Sequence, residues 1–229
     1  MSEALSERLA KIDAQIDRSA RKNGRDPRSI RLVAVSKTQP AAAISGALAA
    51  GVRIFGENKV QEAEGKIAEI GRENAEWHLI GHLQSNKARK AVRLFDVIHS
   101  LDSGALAERL ERICEEEGRA ELPVFIQVDL AGETTKDGIG EKDLPALVEF
   151  LRGARHLKLA GMMIVPPYFD DPEDARPFFR RLRELRDRFV AGGELSMGMS
   201  HDFEVAVEEG ATLVRIGTAV FGERFYTKS

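Results

Sequence analysis

The chain has 229 residues, of which 43% are apolar, and its 34 basic and 37 acidic residues give a formal net charge of -3. A chain of this length and composition can bury one sizeable core, so we expect a single domain over residues 1–229. Charges of both signs are interspersed, which excludes the basic block typical of nucleic-acid binding. Cys114 is the only cysteine. It excludes an intrachain disulfide and a cysteine-rich zinc cluster, and it predicts a reducing, cytoplasmic location.

The N-terminal segment carries Leu5, Leu9, Ile12 and Ile16 at helical spacing, with charged residues between them. This periodicity predicts an amphipathic helix. The segment lacks the continuous apolar stretch of a secretory signal, and its acidic residues argue against an organellar transit sequence. Nowhere do about 18 apolar residues follow one another, so we expect no membrane-spanning segment.

After this helix, short apolar or β-branched runs alternate with longer segments of helical periodicity. Eight runs have the composition of strands: 32–35, 52–55, 77–80, 97–99, 124–128, 157–164, 194–197 and 213–216. The helical segments between them include 41–50, 58–70, 103–117, 144–151 and 172–190. Eight strand and helix units that use up the chain predict a parallel (β/α)8 TIM barrel. A doubly wound open sheet has the same local pattern and is the alternative.

Two glycine turns follow the last two predicted strands. Gly198 precedes Ser200 in the first turn, and Gly217 precedes Thr218 in the second. In a barrel the loops after the last two strands often hold a phosphate group, because glycine lets the backbone approach and the following helices offer N–H groups. Capping of these helices by the two hydroxyl groups is the simpler alternative for each residue taken alone.

A lysine follows the first predicted strand. Lys37 comes directly after an apolar run, where partial withdrawal from water favours the neutral amine that attacks a carbonyl. The alternative is a lysine that reaches solvent at a strand end.

The first and last strands of a closed barrel are neighbours, so Lys37 and Arg215 are expected side by side. A Schiff-base lysine, an arginine and a phosphate cup are the groups needed to hold pyridoxal 5'-phosphate (PLP). For Arg215, a salt bridge to Glu204 or Glu223 is the alternative.

Five segments resemble the YggS/PROSC family of pyridoxal phosphate homeostasis proteins. They are LVAVSKTQP (32–40), FGENKVQEA (55–63), WHLIGHLQSNK (77–87), GMMIVPP (161–167) and LSMGMSHDFEVAVEEGATLVRIGTAVFG (195–222). The resemblance implies a barrel like the N-terminal domain of alanine racemase, without the C-terminal β-domain of the racemases.

The same resemblance implies a role for six residues. Lys37 is the Schiff-base lysine, Ser200, Gly217 and Thr218 bind the phosphate, and Arg215 faces the pyridine nitrogen. Because arginine keeps its proton, this nitrogen stays unprotonated, and carbanion chemistry is less assisted than with a carboxylate partner. Asn58, predicted to open the helix after the second strand, reaches the ring oxygen or the Schiff-base region, or else caps that helix.

Two histidines flank the end of the third predicted strand. We expect His78 to pack in the barrel wall and His82 to orient its loop. The sequence shows no histidine and carboxylate cluster at metal spacing, so we predict no metal site.

The predicted function is a carrier that binds PLP and contributes to its homeostasis without catalysis. The alternative is a PLP-dependent racemase or decarboxylase, but racemisation needs a second acid on the opposite face of the substrate, and neither Tyr168 nor Tyr226 is an obvious choice. A cofactor-independent barrel enzyme acting on a phosphorylated metabolite is a third candidate. We expect a monomer that exchanges PLP with small molecules or recipient apo-enzymes. The polar loop 131–140 is either a lid or a protein contact.

Overall fold

The computed structural model describes residues 2–132 and 137–222. Within these ranges, nine strands form one parallel sheet: β1 Arg31–Val35, β2 Ile54–Glu57, β3 Glu76–Leu79, β4 Val97–Leu101, β5 Leu122–Asp129, β6 Ile139–Gly140, β7 Leu157–Met163, β8 Glu194–Ser196 and β9 Leu213–Ile216. The strand order is β4-β3-β2-β1-β9-β8-β7-β5-β6, and β4 also pairs with β5. This last pairing closes the sheet on itself. The predicted barrel is therefore confirmed, and the open-sheet alternative is wrong.

The helices surround the barrel. They are α1 Ser2–Lys22, α2 Ala41–Ala49, α3 Val60–Ile70, α4 Ala88–Leu94, α5 Gly104–Glu116, α6 Leu144–Gly153, α7 Arg176–Phe189, α8 Phe203–Glu208 and α9 Thr218–Phe221. Short 3-10 turns cover Pro27–Ser29, Arg72–Asn74, Ser85–Lys87 and Pro172–Ala175. No helix in the described ranges is long and apolar enough to cross a bilayer.

Several predicted elements differ from the structure for local reasons. Strand β2 begins at Ile54 and not at Val52, because the Val52 N–H donates to Ala47 O and belongs to the end of α2. The predicted helix 172–190 is a 3-10 turn followed by α7. The two-residue strand β6, which pairs with β5, lies at the end of the segment 131–140 that was predicted to be a polar loop.

The core has two parts. The larger part fills the space between the strands and the helices. The smaller part lies inside the barrel and joins side chains of five different strands: Val33, Val97, Phe125, Met163 and Leu213. Only residues that point to the barrel axis can meet in this way, so these five define the interior of the barrel.

Helix α1 packs against α8 and α9, the two helices that follow the last two strands. Its predicted apolar stripe is buried, with Ile12 2% exposed. At the edges of the contact the Arg8 Nε donates to Val220 O at 2.7 Å, and Lys22 pairs with Glu208 at 2.7 Å. The extra N-terminal helix therefore supports the part of the barrel that carries the two glycine turns.

Candidate functional site

A cavity of about 360 Å³ opens at the carboxyl ends of β1, β2, β8 and β9. All six residues predicted for the site line it: Lys37, Asn58, Ser200, Arg215, Gly217 and Thr218. Strands β1 and β9 are paired, with Val33 opposite Arg215, as expected for the first and last strands of a closed barrel. The structure thus brings together residues from both ends of the chain.

The segment that carries Lys37 is held by a buried ionic cluster that the sequence analysis missed. The Lys66 ammonium donates to Ser36 O at 2.6 Å and to carboxylate oxygens of Glu57 and Glu62, each at 2.7 Å. The Ser36 hydroxyl donates to Glu57 at 2.7 Å, and the Thr38 N–H donates to Glu62. Both neighbours of Lys37 are therefore fixed through backbone or side-chain hydrogen bonds.

Burial dominates the electrostatics of Glu57, the innermost carboxylate of this cluster. Glu57 is fully buried, which raises its pKa, while the hydrogen bonds from Lys66 and Ser36 oppose the shift. A buried carboxylate of this kind is tolerated only with a cation beside it. Lys66, whose side chain is 9% exposed, provides that cation.

Asn58 does not open a helix as predicted. Helix α3 begins at Val60, with Lys59 at the capping position and no side-chain cap. The Asn58 Oδ1 is buried, and it has no hydrogen-bond partner among the described residues. The capping alternative is therefore wrong, and Asn58 presents an unsatisfied amide oxygen beside the cavity.

The two glycine turns converge. The Ser200 Oγ, after β8, accepts a hydrogen bond at 3.4 Å from the N–H of Ala219, after β9. Gly198 has φ +91°, and a methyl group there would lie 2.6 Å from the Ala206 Cβ, so only glycine fits this turn. Neither hydroxyl caps the helix that follows it in the chain, since α8 begins at Phe203 and Gly217, not Thr218, is the N-cap residue of α9.

The turns offer hydrogen-bond donors to the cavity. In residues 2–132 and 137–222, the backbone N–H groups of Ser200 and Thr218 have no acceptor. Helices α8 and α9 have six and four residues, which is too short for a large helix dipole. We call the two turns, with Ser200, Gly217 and Thr218, the cup. An anion in the cup can accept hydrogen bonds from these individual N–H groups and from the two hydroxyl groups.

Arg215 is a buried cation, 3% exposed, on the wall of the cavity. Its Nη1 donates to Ser196 Oγ at 2.7 Å, and its Nη2 donates to Ile164 O at 2.8 Å. Burial lowers the pKa of Arg215 to about 10, which still leaves it charged at neutral pH. The salt-bridge alternative finds no support: Glu204 pairs with Arg18, and Glu223 lies outside the described residues.

A row of polar side chains crosses the barrel interior below Arg215. His99 contacts Ser196 Oγ through Nδ1 and His78 through Nε2, both at 2.8 Å, and His78 Nε2 contacts Glu76 at 2.8 Å. Burial lowers the pKa of His99 well below its usual value. His78 lies in the wall, as predicted, but it belongs to a row whose other members the sequence analysis did not single out.

The sequence matches the family described as alanine racemase, N-terminal domain, over residues 8–225. This chain belongs to that family. A protein of Pseudomonas aeruginosa named pyridoxal phosphate homeostasis protein is 46% identical to the chain and covers 97% of it and 96% of its own length. A protein of the same name from Aquifex aeolicus is 42% identical and covers 96% of the chain and 98% of its own length.

A solved structure of the same fold supports the assignment. PipY of Synechococcus elongatus PCC7942, with PLP bound, is 44% identical and has a TM-score of 0.82. The match covers 95% of this chain and all of PipY. These findings confirm the resemblance to pyridoxal phosphate homeostasis proteins that the five sequence segments indicated.

A second cluster lies on the opposite side of the barrel mouth. His82 Nδ1 lies 3.3 Å from Asp102 Oδ2 and 3.1 Å from Asp137 Oδ1. The three ligand atoms are close enough to hold a metal ion. The prediction that no histidine and carboxylate cluster exists at metal spacing was therefore wrong. The sequence did not reveal the cluster because its three residues follow different strands. The absence of a metal stays a prediction, since an exposed histidine between two carboxylates needs no ion.

Tyr168 lies at the rim of the cavity. It is 77% exposed, and its ring stacks on His201 with 5.4 Å between the ring centroids. The other tyrosine, Tyr226, and residues 133–136 of the polar loop lie outside the described residues.

Proposed function

We propose that this chain binds PLP in the cavity between β1, β2, β8 and β9 and contributes to PLP homeostasis. Relatives with 42% and 46% identity are named for that function, and PipY has been solved with PLP bound. One observation of this molecule carries the proposal. Arg215 is buried in the cavity wall, forms no ion pair in the described part of the chain, and donates there only to two neutral acceptors, so its remaining N–H groups can bind an acceptor on a ligand.

The residues fit PLP group by group. Lys37 offers the amine that the aldehyde requires, and Arg215 offers N–H groups to the ring nitrogen. Ser200 and Thr218 offer hydroxyl and backbone N–H donors to the phosphate, while Gly217 leaves room for it. We also propose that Asn58, whose side-chain oxygen has no protein partner in the described ranges, turns its amide to the ring or to the Lys37 end.

When bound, PLP supplies an aldehyde that condenses with amines and a ring that withdraws electrons. The side chains of this protein would orient PLP and limit the electron-withdrawing power of its ring. Arg215 donates a hydrogen bond to the ring nitrogen and cannot accept one, so it does not favour the protonated ring, which is the stronger electron sink. The Lys66 cluster holds the backbone on both sides of Lys37.

We propose that the protein is a carrier and not an enzyme. Tyr168 is the described tyrosine at the cavity, and it is largely in water, stacked on His201. It therefore lacks the buried position from which an acid acts on a substrate carbon. Because Tyr168 lines the cavity, racemisation is the second candidate. If alanine racemisation were measurable and were lost in both Lys37→Ala and Tyr168→Phe, the carrier proposal would be wrong.

An absorbance titration tests PLP binding. The purified protein titrated with PLP is expected to develop a visible band that shifts on borohydride reduction. Lys37→Ala abolishes this behaviour, whereas Lys59→Ala, which changes an exposed lysine next to Asn58, retains it. A wild-type protein without this band would contradict the proposal and would favour a bare phosphate site.

The remaining parts of the proposal concern the protein's surroundings. We propose that it works as a monomer, is cytoplasmic, folds as one domain and passes PLP to recipient apo-enzymes. Light scattering coupled to size-exclusion chromatography tests whether the protein is a monomer. Transfer of PLP to an apo-enzyme at a rate faster than its release into buffer tests whether the protein passes PLP on directly.

A further inference from the structure

Four hydrogen bonds connect Arg215 to the base of the barrel. Arg215 Nη1 contacts Ser196 Oγ at 2.7 Å, and Ser196 Oγ contacts His99 Nδ1 at 2.8 Å. His99 Nε2 contacts His78 Nδ1 at 2.8 Å, and His78 Nε2 contacts Glu76 at 2.8 Å. Glu76 is the first residue of β3, and its side chain is 39% exposed. The row therefore runs from the proposed PLP cavity to the opposite, amino-terminal opening of the barrel.

The chemistry of its two ends gives this row one direction. A guanidinium group only donates, so Ser196 Oγ accepts from Arg215 and has its own proton left to donate. An ionised carboxylate only accepts, so His78 donates to Glu76 from Nε2. Hydrogen bonding by His78 lowers the pKa of Glu76, which keeps the carboxylate ionised at neutral pH. Each link then follows: Ser196 donates to His99, and His99 donates to His78.

This direction fixes the protonation of both histidines. His78 and His99 are neutral and carry their proton on Nε2. If His78 were doubly protonated instead, His99 would have to donate to Ser196. The buried Ser196 hydroxyl proton would then point at two donors and have no acceptor. The one-directional arrangement leaves no donor or acceptor of the row unsatisfied.

The row is sealed from water along most of its length. Ser196, His78 and His99 are each 0% exposed. The His99 ring stacks on Phe125 with 4.4 Å between centroids, and Phe125 belongs to the apolar cluster of the barrel interior. Water cannot replace a missing member without a rearrangement of this packing, so a break in the row leaves a buried polar group unpaired.

We propose that Ser196, His99, His78 and Glu76 are positioning residues for Arg215. They hold its guanidinium with one N–H on Ser196 and another on Ile164 O, so that the remaining N–H groups face the ring nitrogen, and Glu76 ends the row as its last acceptor. This inference rests on the proposed PLP site. It explains why two histidines occupy a barrel interior that apolar side chains would otherwise fill.

Nitrogen NMR tests the row with two separate readouts. The first, on 15N-histidine protein without PLP, reads the tautomer of His78 and His99. Neutral rings with the proton on Nε2 are expected. An imidazolium at His78, or a proton on Nδ1 of His99, would overturn the proposal. This readout does not depend on PLP binding, so it stands even if the proposed function fails.

The second readout uses PLP labelled with 15N in the ring. In Ser196→Ala we expect a changed ring-nitrogen shift and an apparent PLP affinity about ten-fold weaker, since a hydrogen bond to a charged group is lost. Ser100→Ala removes a buried serine hydroxyl on β4, next to His99 in the sequence, that has no described partner, and it should match the wild type. If wild type and both variants gave the same shift and affinity, the row would not position Arg215, although PLP binding would stand.

A second pair of variants avoids the sealed interior. Glu76→Leu removes the last acceptor at the partly exposed base, whereas Glu194→Leu removes the other acid that pairs with Arg31 there. We expect the His78 tautomer and the ring-nitrogen shift to change only in Glu76→Leu. Equal spectra for both variants, with PLP still bound, would contradict the inference.

Discussion

Polar side chains occur in both halves of the barrel mouth, but the groups at the cavity and the groups of the His82 cluster differ in whether they are satisfied. In the half formed by β1, β2, β8 and β9, the cavity is lined by a buried cation that forms no ion pair among the described residues. It is also lined by a buried amide oxygen and backbone N–H groups that lack described partners. In the half formed by β3, β4 and β5, His82 lies between Asp102 and Asp137 in water.

This difference distinguishes a binding site from a solvated cluster. Buried polar groups without partners cost free energy, and a protein retains them where a ligand completes them. Exposed polar groups that already contact each other, as a histidine and a carboxylate do, gain little free energy from binding a ligand. The cavity half is therefore incomplete without a small molecule, whereas the His82 cluster already contacts its partners.

The largest effect is expected from Lys66→Met, which removes the cation of the cluster that holds the Lys37 segment. Because Glu57 would remain as a buried carboxylate, we expect the free energy of unfolding to fall by about 3–5 kcal/mol. Urea denaturation measures it. Lys90→Met, at the exposed pair with Glu64, should cost less than about 1 kcal/mol. Equal costs for the two variants would show that the cluster is not a buried network.

Gly198→Ala should be the next most damaging change. A methyl group there meets Ala206 at 2.6 Å, and φ is +91°. We expect a loss of about 2–4 kcal/mol from backbone strain and overpacking together. Gly132→Ala in the opposite half has φ +66° but meets no described atom within 4 Å, so about 1–2 kcal/mol is expected from strain alone. Thermal unfolding of both variants measures the two losses of stability. The losses would be equal if the turn at Gly198 could open to accommodate the methyl group.

Ser200→Ala and Ser103→Ala should have opposite consequences. Ser200 lies in the cup, so its removal is expected to weaken PLP binding about three- to ten-fold with little change in stability. Ser103 caps α5 by accepting from the Leu106 N–H, so its removal should cost about 1 kcal/mol of stability and leave PLP affinity unchanged. An absorbance titration and a urea melt on each variant separate the two roles. A loss of stability without a loss of affinity in Ser200→Ala would contradict the phosphate assignment.

The smallest effect is expected at His82. Its removal in His82→Ala breaks only exposed or partly exposed contacts, so stability should change by less than about 1 kcal/mol and PLP affinity should not change. Titration calorimetry with ZnCl2 is expected to show no specific heat in either protein. Saturable zinc binding that disappears in the variant would make this half a metal site.

The fold could be predicted because the barrel needs only local patterns in chain order. The cup and Lys37 followed from the barrel itself, since its geometry brings the carboxyl ends of the strands to one face. The row from Glu76 to Ser196 could not be predicted. Its members interrupt apolar runs singly, and only closure of the sheet places Ser196 on β8 next to His99 on β4. The cluster at His82 was hidden for the same reason, and Asn58 resembled a helix cap because asparagine is a common one.

The central claim is that the Lys37 amine forms the covalent link to PLP. The most direct measurement is borohydride reduction of the PLP-loaded protein, followed by proteolysis and mass spectrometry. We expect a pyridoxyl phosphate adduct on Lys37 alone. An adduct on another lysine such as Lys59 or Lys66, or no adduct in a protein that retains PLP, would contradict it.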